Sequence, residues 1–295
     1  MTSNVLINNK QELLNANKQF FQPPVCNKMM HQKGQMKSFF VGGPNIRKDY
    51  HIEEGEEMFY MEKGDMCLKI VEHGKHRDIP IKEGEVNMAS HHALHSPQRQ
   101  KNTIGLVLER ERPEDELDGL RYYVEGTTDS LYEKWFHCTD LGTQLVPVIN
   151  AFFESEQYKT GKPIPEELPD KPPVELDSDV SVEMPFSLRG WIEKNKEEIQ
   201  SKGYKKIFAD HYQHSITVWG SGEEKGGSDV AEIWMWQLEG KSELVVGDEK
   251  TKYEVNKDDI VLVPQGWKYT ANRGDGSLCL VCFQDPTKKK PWKKE

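Results

Sequence analysis

Two histidines and one glutamate in the first third of the chain have the side chains and spacing of a metal site. His51 and Glu57 lie six residues apart, and His95 follows after several short apolar runs. Two neutral imidazoles and one carboxylate suit a ferrous ion that is bound on one face and keeps its other coordination positions open. The same ligand types occur at hydrolytic zinc sites, so ligand chemistry alone leaves the metal undecided. No fourth thiol or imidazole has suitable spacing, which argues against a closed structural zinc site.

Two arginines accompany these candidate ligands. Arg47 and Arg99 each lie four residues from one of the histidines. A guanidinium group in a protein interior needs an anion to offset its loss of hydration. That anion is either an acidic side chain, with Asp49 and Glu109 as candidates, or the carboxylate of a ligand, which the planar guanidinium fork matches and a lysine does not. The sequence leaves both alternatives open.

The residues around these side chains have the pattern of short β-strands. Arg47, Asp49, His51 and Glu53 alternate with other residues, so in a strand they share one face. Short apolar runs follow, most of them separated by glycine, at 58–61, 66–71, 78–81 and 104–108. Closely spaced strands of this kind predict a β-sandwich or a small barrel, inside which polar side chains must be paired or bound to a metal.

The second half of the chain repeats parts of the first. A helix is predicted over 140–153, and the six prolines between residues 160 and 185 are typical of a linker. A helix over 188–200 precedes a second series of short strands. The run 240–246 parallels 64–71, and aligning the turns that follow sets Tyr269 opposite His95. Because the second half has no comparable set of His and Glu, we interpret it as a duplicated barrel without a metal site.

Composition excludes several classes of protein. The chain has 295 residues and a formal net charge of -10, which argues against a basic surface for nucleic acid. No apolar run approaches the roughly 18 residues of a transmembrane helix, and the N-terminus lacks the pattern of a secretory signal. The five cysteines are irregularly spaced, which indicates reduced thiols in the cytosol.

Two motifs connect the candidate ligands with a known family. The pattern formed by His51, Glu53, Glu57 and Gly64 resembles the first cupin motif, and Gly84 through His95 resembles the second. The whole chain resembles the animal 3-hydroxyanthranilate 3,4-dioxygenases. The runs that carry this resemblance are 42–45, 47–57, 95–99, 117–124, 134–137, 140–145, 155–158 and 234–240.

The resemblance implies a mainly β monomer that contains two cupin barrels, each a double-stranded β-helix or jelly roll, and a few short helices. We expect a catalytic cupin domain with the metal site over 1–164, a proline-rich linker over 165–181, and a degenerate cupin domain without a metal site over 182–295. A cytosolic enzyme with no nucleic-acid or membrane partner is expected.

The resemblance also assigns the site. It implies Fe(II) bound by His51, Glu57 and His95. It implies Arg47 near dioxygen, Arg99 near the substrate carboxylate and Glu109 facing the substrate. The substrate, 3-hydroxyanthranilate, would meet these groups and Glu57 in a pocket also lined by Val25 and Asn27. The implied product is 2-amino-3-carboxymuconate semialdehyde, which cyclises to quinolinate, a precursor of NAD in the kynurenine pathway.

One stretch departs from the family pattern. Family members usually have prolines where this chain has Ser90 and Leu94, and His91 and His92 are additional. The sequence leaves two alternative functions open. One is an Fe(II) cupin oxygenase that acts on another small acid, such as a thiol acid, and the other is a two-cupin binding protein without catalytic activity.

Overall fold

The computed structural model describes residues 4–21, 23, 26–31, 34–90, 92–174, 176 and 181–288. Most of the regular structure in these residues is β, with five short α-helices and three 3-10 turns. Their contacts divide into two compact units. Of the described residues, those within 19–29 and 38–188 form the N-terminal unit, and those within 4–18, 30–37 and 189–288 form the C-terminal unit.

The first elements are, in chain order, β1 Leu6–Asn9, α1 Lys10–Ala16, β2 Asn27–Met29, β3 Met36–Gly42, β4 Tyr50–Ile52, β5 Glu57–Lys63, β6 Met66–Glu72, β7 Lys75–Ile81, β8 Glu85–Ala89, β9 Leu94–Arg99, β10 Ile104–Arg110, β11 Asp118–Tyr123, β12 Ser130–Phe136, α2 Leu141–Glu154 and α3 Glu156–Thr160.

The remaining elements are β13 Phe186–Ser187, α4 Leu188–Lys194, α5 Lys196–Lys202, β14 Tyr204–Lys206, β15 His214–Trp219, β16 Gly222–Gly226, β17 Ile233–Glu239, β18 Lys241–Val246, β19 Thr251–Asn256, β20 Asp259–Val263, β21 Tyr269–Arg273 and β22 Leu278–Gln284, with the 3-10 turns at Lys18–Phe20, Pro165–Glu167 and Pro286–Lys288.

Two antiparallel sheets form the N-terminal unit. Their strand orders are β13-β8-β5-β10-β3-β2 and β12-β11-β4-β9-β6-β7. Leu68 and Ile70 alternate with partly exposed neighbours along β6, and they pack in one apolar core with Phe59 of β5 and Val107 of β10. Because successive side chains of a strand point to opposite faces, this alternation buries one face of each sheet against the other.

The C-terminal unit has the same arrangement. Its sheets run β1-β20-β17-β22-β15-β14 and β16-β21-β18-β19. Strand β6 pairs with β9 so that Ile70 lies opposite His95, and β18 pairs with β21 so that Val246 lies opposite Tyr269. Tyr269 therefore occupies the register position of His95, as the sequence alignment predicts.

The two helices predicted from 140 and from 188 are found, with α2 beginning at Leu141 and α4 at Leu188. The Asn9 side chain caps α1 by accepting hydrogen bonds from the backbone N–H groups of Gln11 and Glu12. Asp140 caps α2 in the same way, and Leu145 and Ile149 of α2 pack into the core of the N-terminal unit. The helix predicted over 188–200 is interrupted at Asn195, which separates α4 from α5.

The predicted linker carries ordered contacts in its described part. Val174 is buried in a small apolar cluster with Tyr50, Ile52 and Leu94, all in the N-terminal unit. Near the N-terminus, β1 pairs with β20 and extends a sheet of the C-terminal unit. The contacts thus group the first residues with the second barrel, and the predicted boundaries at 164 and 182 remain predictions. In the part of the chain that is described, no helix is long and apolar enough to cross a membrane.

Candidate metal centre

Three strands bring the two histidines and the glutamate together. His51 lies on β4 directly opposite His95 on β9, and Glu57 is the first residue of β5. Opposed residues of an antiparallel pair have neighbouring side chains, and here the two imidazole centroids are 5.5 Å apart. Candidate ligand atoms of all three residues lie within 4.8 Å of one another, and all three side chains are buried.

The atoms of this group are arranged for a shared cation. His95 Nδ1–H donates to the backbone oxygen of Ala93 at 2.7 Å, which leaves Nε2 directed at Glu57 Oε2, 2.5 Å away. Within the described residues, that oxygen is buried and has no hydrogen bond of acceptable geometry. A buried carboxylate oxygen with this deficit, close to two imidazoles, fits a divalent metal with open coordination positions.

The electrostatics keep the glutamate available as an anion. Burial acts to raise the pKa of Glu57, but the neighbouring His95 and His51 outweigh it and hold the pKa well below its usual range. Burial acts to lower the pKa of His95, and the Glu57 charge outweighs it in the same way and raises that pKa. The pair is therefore most stable with Glu57 negatively charged and His95 positively charged. A bound metal cation can supply the positive charge in place of the protonated histidine.

A pocket opens beside these three side chains. About 530 Å³ of space free of atoms lies within it, part of which is open to solvent. Its apolar wall comes from β3, β5, β10 and α2, with residues Phe39, Val41, Phe59, Val107, Leu141 and Leu145. Its polar side consists of the three candidate ligands with Asn27, Asn45, Arg47 and Arg99. This combination suits a flat apolar molecule that carries an anionic group.

The two arginines differ in their partners. Arg47 binds Asp49 through two hydrogen bonds, Nε to Oδ1 at 3.1 Å and Nη2 to Oδ2 at 2.6 Å. Arg99 is buried, but no acidic side chain pairs with it in the described part of the chain, and its Nη1 lies 3.4 Å from the Met61 sulfur. Burial lowers the pKa of Arg99 to about 10. The ion-pair alternative is thus right for Arg47 with Asp49 and wrong for Arg99 with Glu109.

Two residues outside the predicted site hold Arg99 in place. Asn45 Oδ1 accepts from the Arg99 backbone N–H at 2.9 Å, and its Nδ2 donates to the Pro97 oxygen at 2.5 Å. Gly105 lies against the guanidinium, because a Cβ at that position would be 2.3 Å from Arg99 Nη1. Asn45 belongs to a run that carries the family resemblance, whereas the need for glycine at 105 depends on packing between strands.

Glu109 does not line the pocket. It follows Leu108, which pairs with Met58 across β10 and β5, and a candidate ligand oxygen of Glu109 lies within 4.8 Å of Glu57. Its Oε1 accepts from Arg112 at 2.5 Å, and its Oε2 is buried without a hydrogen-bond partner among the described residues. Burial raises the pKa of Glu109 well above its usual range, and the Glu53 and Glu57 charges add to this effect. Its predicted role toward the substrate remains a prediction.

Of the two predicted pocket-wall residues, one can be placed. Asn27 on β2 lines the pocket next to the start of α2, where a Cβ on Gly142 would come within 2.8 Å of Asn27 Oδ1. Val25 lies outside the described residues, as does His91. The loop that departs from the family pattern leads directly into β9. The His92 N–H donates to the Glu53 backbone oxygen at 3.1 Å, and β9 begins at Leu94.

Arg112 and Asp118 are the main residues that sequence reasoning missed. Asp118 Oδ2 accepts from His51 Nε2 at 2.7 Å, and Arg112 binds Asp118, Glu109 and Glu53. The alternation of acids and arginines over 109–112 is visible in the sequence. Such a pattern is more often a solvated strand end, so it gave no indication that these groups are buried together.

The equivalent position in the C-terminal unit has different chemistry. The Tyr269 hydroxyl donates to Glu224 Oε1 at 2.6 Å, and Arg273 also pairs with Glu224. Among the described residues, the groups of His, Cys, Asp and Glu that could hold a metal all lie between positions 51 and 118.

Comparison with known proteins agrees with this geometry. The sequence model of the family described as 3-hydroxyanthranilic acid dioxygenase matches residues 1–153. The chain is 50% identical over 276 residues to the mouse protein named 3-hydroxyanthranilate 3,4-dioxygenase, which covers 94% of this chain and 95% of the mouse protein. The bovine protein of the same name is 52% identical over 274 residues, with coverage of 93% and 94%. The zebrafish protein is 43% identical over 293 residues and covers 99% of this chain and 100% of its own length.

Solved structures support the fold. A variant of salicylate 1,2-dioxygenase from Pseudoaminobacter salicylatoxidans superposes with a TM-score of 0.60 at 9% identity, covering 96% of this chain and 84% of that one. A variant of oxalate decarboxylase from Bacillus subtilis gives 0.50 at 17% identity, with coverage of 97% and 78%. The predicted fold class, a mainly β chain of two cupin domains with a few short helices, is confirmed.

Proposed function

Because the chain belongs to the 3-hydroxyanthranilic acid dioxygenase family, we propose that it is an iron-dependent dioxygenase that opens the ring of 3-hydroxyanthranilate. One observation carries this proposal. Arg99 presents a buried guanidinium, without an acidic partner in the described chain, to a pocket that also contains a candidate metal site. A substrate with a carboxylate and a metal-chelating pair of groups on a flat ring supplies what both features need.

Fe(II) is the metal that we propose for His51, Glu57 and His95. Their donor set of two imidazoles and one carboxylate leaves coordination positions for the substrate and dioxygen. When bound, the iron would bring the two reactants together and pass electron density from the ring to dioxygen.

The side chains around the metal would orient the substrate. Arg99 would bind the carboxylate through charge-assisted hydrogen bonds, each worth about 1.5–3 kcal/mol. Glu109 would accept a hydrogen bond from the amino or hydroxyl group of the substrate and favour its deprotonation. Asn27 and Val25 would complete the wall of the pocket. The apolar side chains of β3, β5 and α2 would pack on the ring and exclude water.

Arg47 would act on charge that develops during the reaction. Its guanidinium is fixed by two hydrogen bonds to Asp49, so it needs no reorganisation when negative charge forms on dioxygen. We therefore assign the substrate carboxylate to Arg99, because the charge of Arg47 is already balanced by Asp49.

The proposed reaction inserts both oxygen atoms. The ring opens between the hydroxyl-bearing carbon and its unsubstituted neighbour, which gives 2-amino-3-carboxymuconate semialdehyde. The amino group then condenses with the new aldehyde and water leaves, so that quinolinate forms without further catalysis. This product would place the protein in the kynurenine branch of pyridine nucleotide biosynthesis.

The organisation of the molecule completes the proposal. We assign catalysis to the N-terminal cupin domain and a packing role, without a metal, to the C-terminal one. The protein would act as a cytosolic monomer. Nucleic-acid and membrane partners are not expected, since its net charge of -10 disfavours polyanions.

The decisive experiment is turnover of 3-hydroxyanthranilate by metal-free protein before and after anaerobic addition of Fe(II). We expect product absorbance and one dioxygen consumed per substrate only after Fe(II) is added. Turnover of a thiol acid in place of the aromatic acid would favour another cupin oxygenase. Iron binding without turnover of either compound would favour a binding protein.

A further inference from the structure

One buried arginine outside the pocket connects the candidate metal ligands with the candidate substrate-facing carboxylate. Arg112 lies in the loop after β10, and its side chain is only 6% exposed. It contacts three carboxylates at once. Nη1 donates to Glu109 Oε1 at 2.5 Å, Nη2 donates to Glu53, and Nε lies 3.1 Å from Asp118 Oδ1.

Each of these carboxylates contacts a candidate metal ligand or lies close to one. Asp118 Oδ2 accepts from His51 Nε2 at 2.7 Å, so it fixes the ring orientation of a candidate ligand. Glu53 lies between His51 and Glu57, and its backbone oxygen accepts from the His92 N–H, three residues before the third ligand. Glu109 offers an oxygen within 4.8 Å of one on Glu57.

The guanidinium of Arg112 offsets the repulsion between these three acids. Each is at most 3% exposed, so solvent screens their mutual repulsion only weakly. A guanidinium has five N–H donors in a planar fork, which allows it to bind three carboxylates in one plane. A lysine has one small ammonium group and could not reach all three.

We propose that Arg112 is a positioning residue for the reaction: it orients His51 through Asp118 and holds Glu109 beside Glu57. This inference depends on the proposed metal site but not on the identity of the substrate. Arg112 itself is not among the residues that line the pocket.

The test compares Arg112→Lys with a matched control, Arg110→Lys. Arg110 is two residues away, is equally buried, and binds Glu116 through both Nη atoms at 2.6 and 2.8 Å. Both variants keep a positive charge and lose a guanidinium fork. The measurements are the Fe(II) dissociation constant, from anaerobic titration against a competing chelator, and kcat and KM at saturating iron.

For Arg112→Lys we expect roughly a 10- to 100-fold weaker Fe(II) affinity, the usual effect of losing an outer-sphere partner of a metal ligand. We also expect kcat to fall at saturating iron while KM changes little, because the Arg99 contact is intact. Arg110→Lys should bind Fe(II) like the unaltered protein. Equal iron affinities and equal kcat in the two variants would overturn the proposal, whatever their melting temperatures.

A second variant covers the case in which Arg112→Lys does not fold. Asp118→Asn keeps the size of the side chain but removes the charge that links Arg112 to His51, so Fe(II) affinity should fall, and an unchanged affinity would overturn the proposal. If both single variants fold, the double variant should lose no more affinity than the more impaired single one, whereas additive losses would show that Arg112 does not act through Asp118. Unaltered protein that fails to bind one Fe(II) would instead refute the proposed function, and iron binding without turnover would refute only its substrate.

Discussion

Gly105 and Arg99 pack so closely that only glycine leaves room for the guanidinium. A Cβ at position 105 would lie 2.3 Å from Arg99 Nη1 and 3.1 Å from its Cζ. Gly105 sits on β10 at a register shift in its pairing with β5, which brings the strand against the arginine. The pocket can therefore present a buried guanidinium, without an acidic partner among the described residues, because the facing strand has no side chain at this point.

The first prediction uses this contact. We expect Gly105→Ala to displace the guanidinium, raise KM for 3-hydroxyanthranilate by roughly 10-fold or more, and leave the iron content unchanged. Gly274→Ala is the matched control, since the added Cβ would meet its nearest neighbour at 3.5 Å, an ordinary contact. Steady-state kinetics and elemental analysis give the answer. An unchanged KM would show that Arg99 does not contact the substrate.

Replacing Arg99 itself should weaken substrate binding without lowering the stability of the fold. Because Arg99 has no acidic partner among the described residues, Arg99→Met breaks no ion pair there and should unfold at the same or a higher temperature than the unaltered protein. The variant should retain iron, and its KM for 3-hydroxyanthranilate should rise roughly 10- to 100-fold, the equivalent of one charge-assisted contact. The analogue without the carboxylate, 2-aminophenol, should be a poor substrate of both proteins and respond far less to the change. A similar loss with both compounds would mean that Arg99 maintains the site and does not bind the carboxylate.

Arg47 should behave in the opposite way. Asp49 is fully buried, so Arg47→Met leaves its charge unpaired and should lower the free energy of unfolding by about 3–5 kcal/mol. Adding Asp49→Asn should restore most of that stability without restoring turnover. Chemical denaturation of the two variants tests this. Full recovery of kcat in the double variant would show that the Arg47 charge has no part in the reaction.

The metal ligands provide the fourth prediction. His51→Ala, Glu57→Ala and His95→Ala should each abolish stoichiometric iron binding while the barrel still folds, and His76→Ala, a histidine outside the pocket, should leave iron at one per chain. Elemental analysis with circular dichroism measures both properties. Full iron occupancy in any of the first three variants would remove that residue from the ligand set.

How much of this site could be predicted from sequence depended on how far apart in the chain the interacting residues lie. The helix predicted over 140–153 depends on interactions between residues a few positions apart, and α2 is found at Leu141–Glu154. His51, Glu57 and His95 could be selected because a motif fixes their spacing and their strands pair in the expected register. Arg112, Asp118 and Gly105 act through contacts between strands that are distant in sequence, and their residue types are common on surfaces. Only the packed structure distinguishes them.

Tyr269 gives the last prediction, on the barrel without candidate ligands. It occupies the register position of His95, but its hydroxyl donates to Glu224, which also pairs with the buried Arg273. Tyr269→Phe removes one donor from a buried carboxylate and should therefore lower the free energy of unfolding by about 1–3 kcal/mol. Tyr253→Phe is the control, since no hydrogen bond of that hydroxyl is found within the described residues. Iron content, kcat and KM should be unchanged in both variants, because the polar cluster around Glu224 stabilises the fold of its unit. If Tyr269→Phe lost iron or activity at unchanged stability, the second barrel would contribute to the reaction beyond packing.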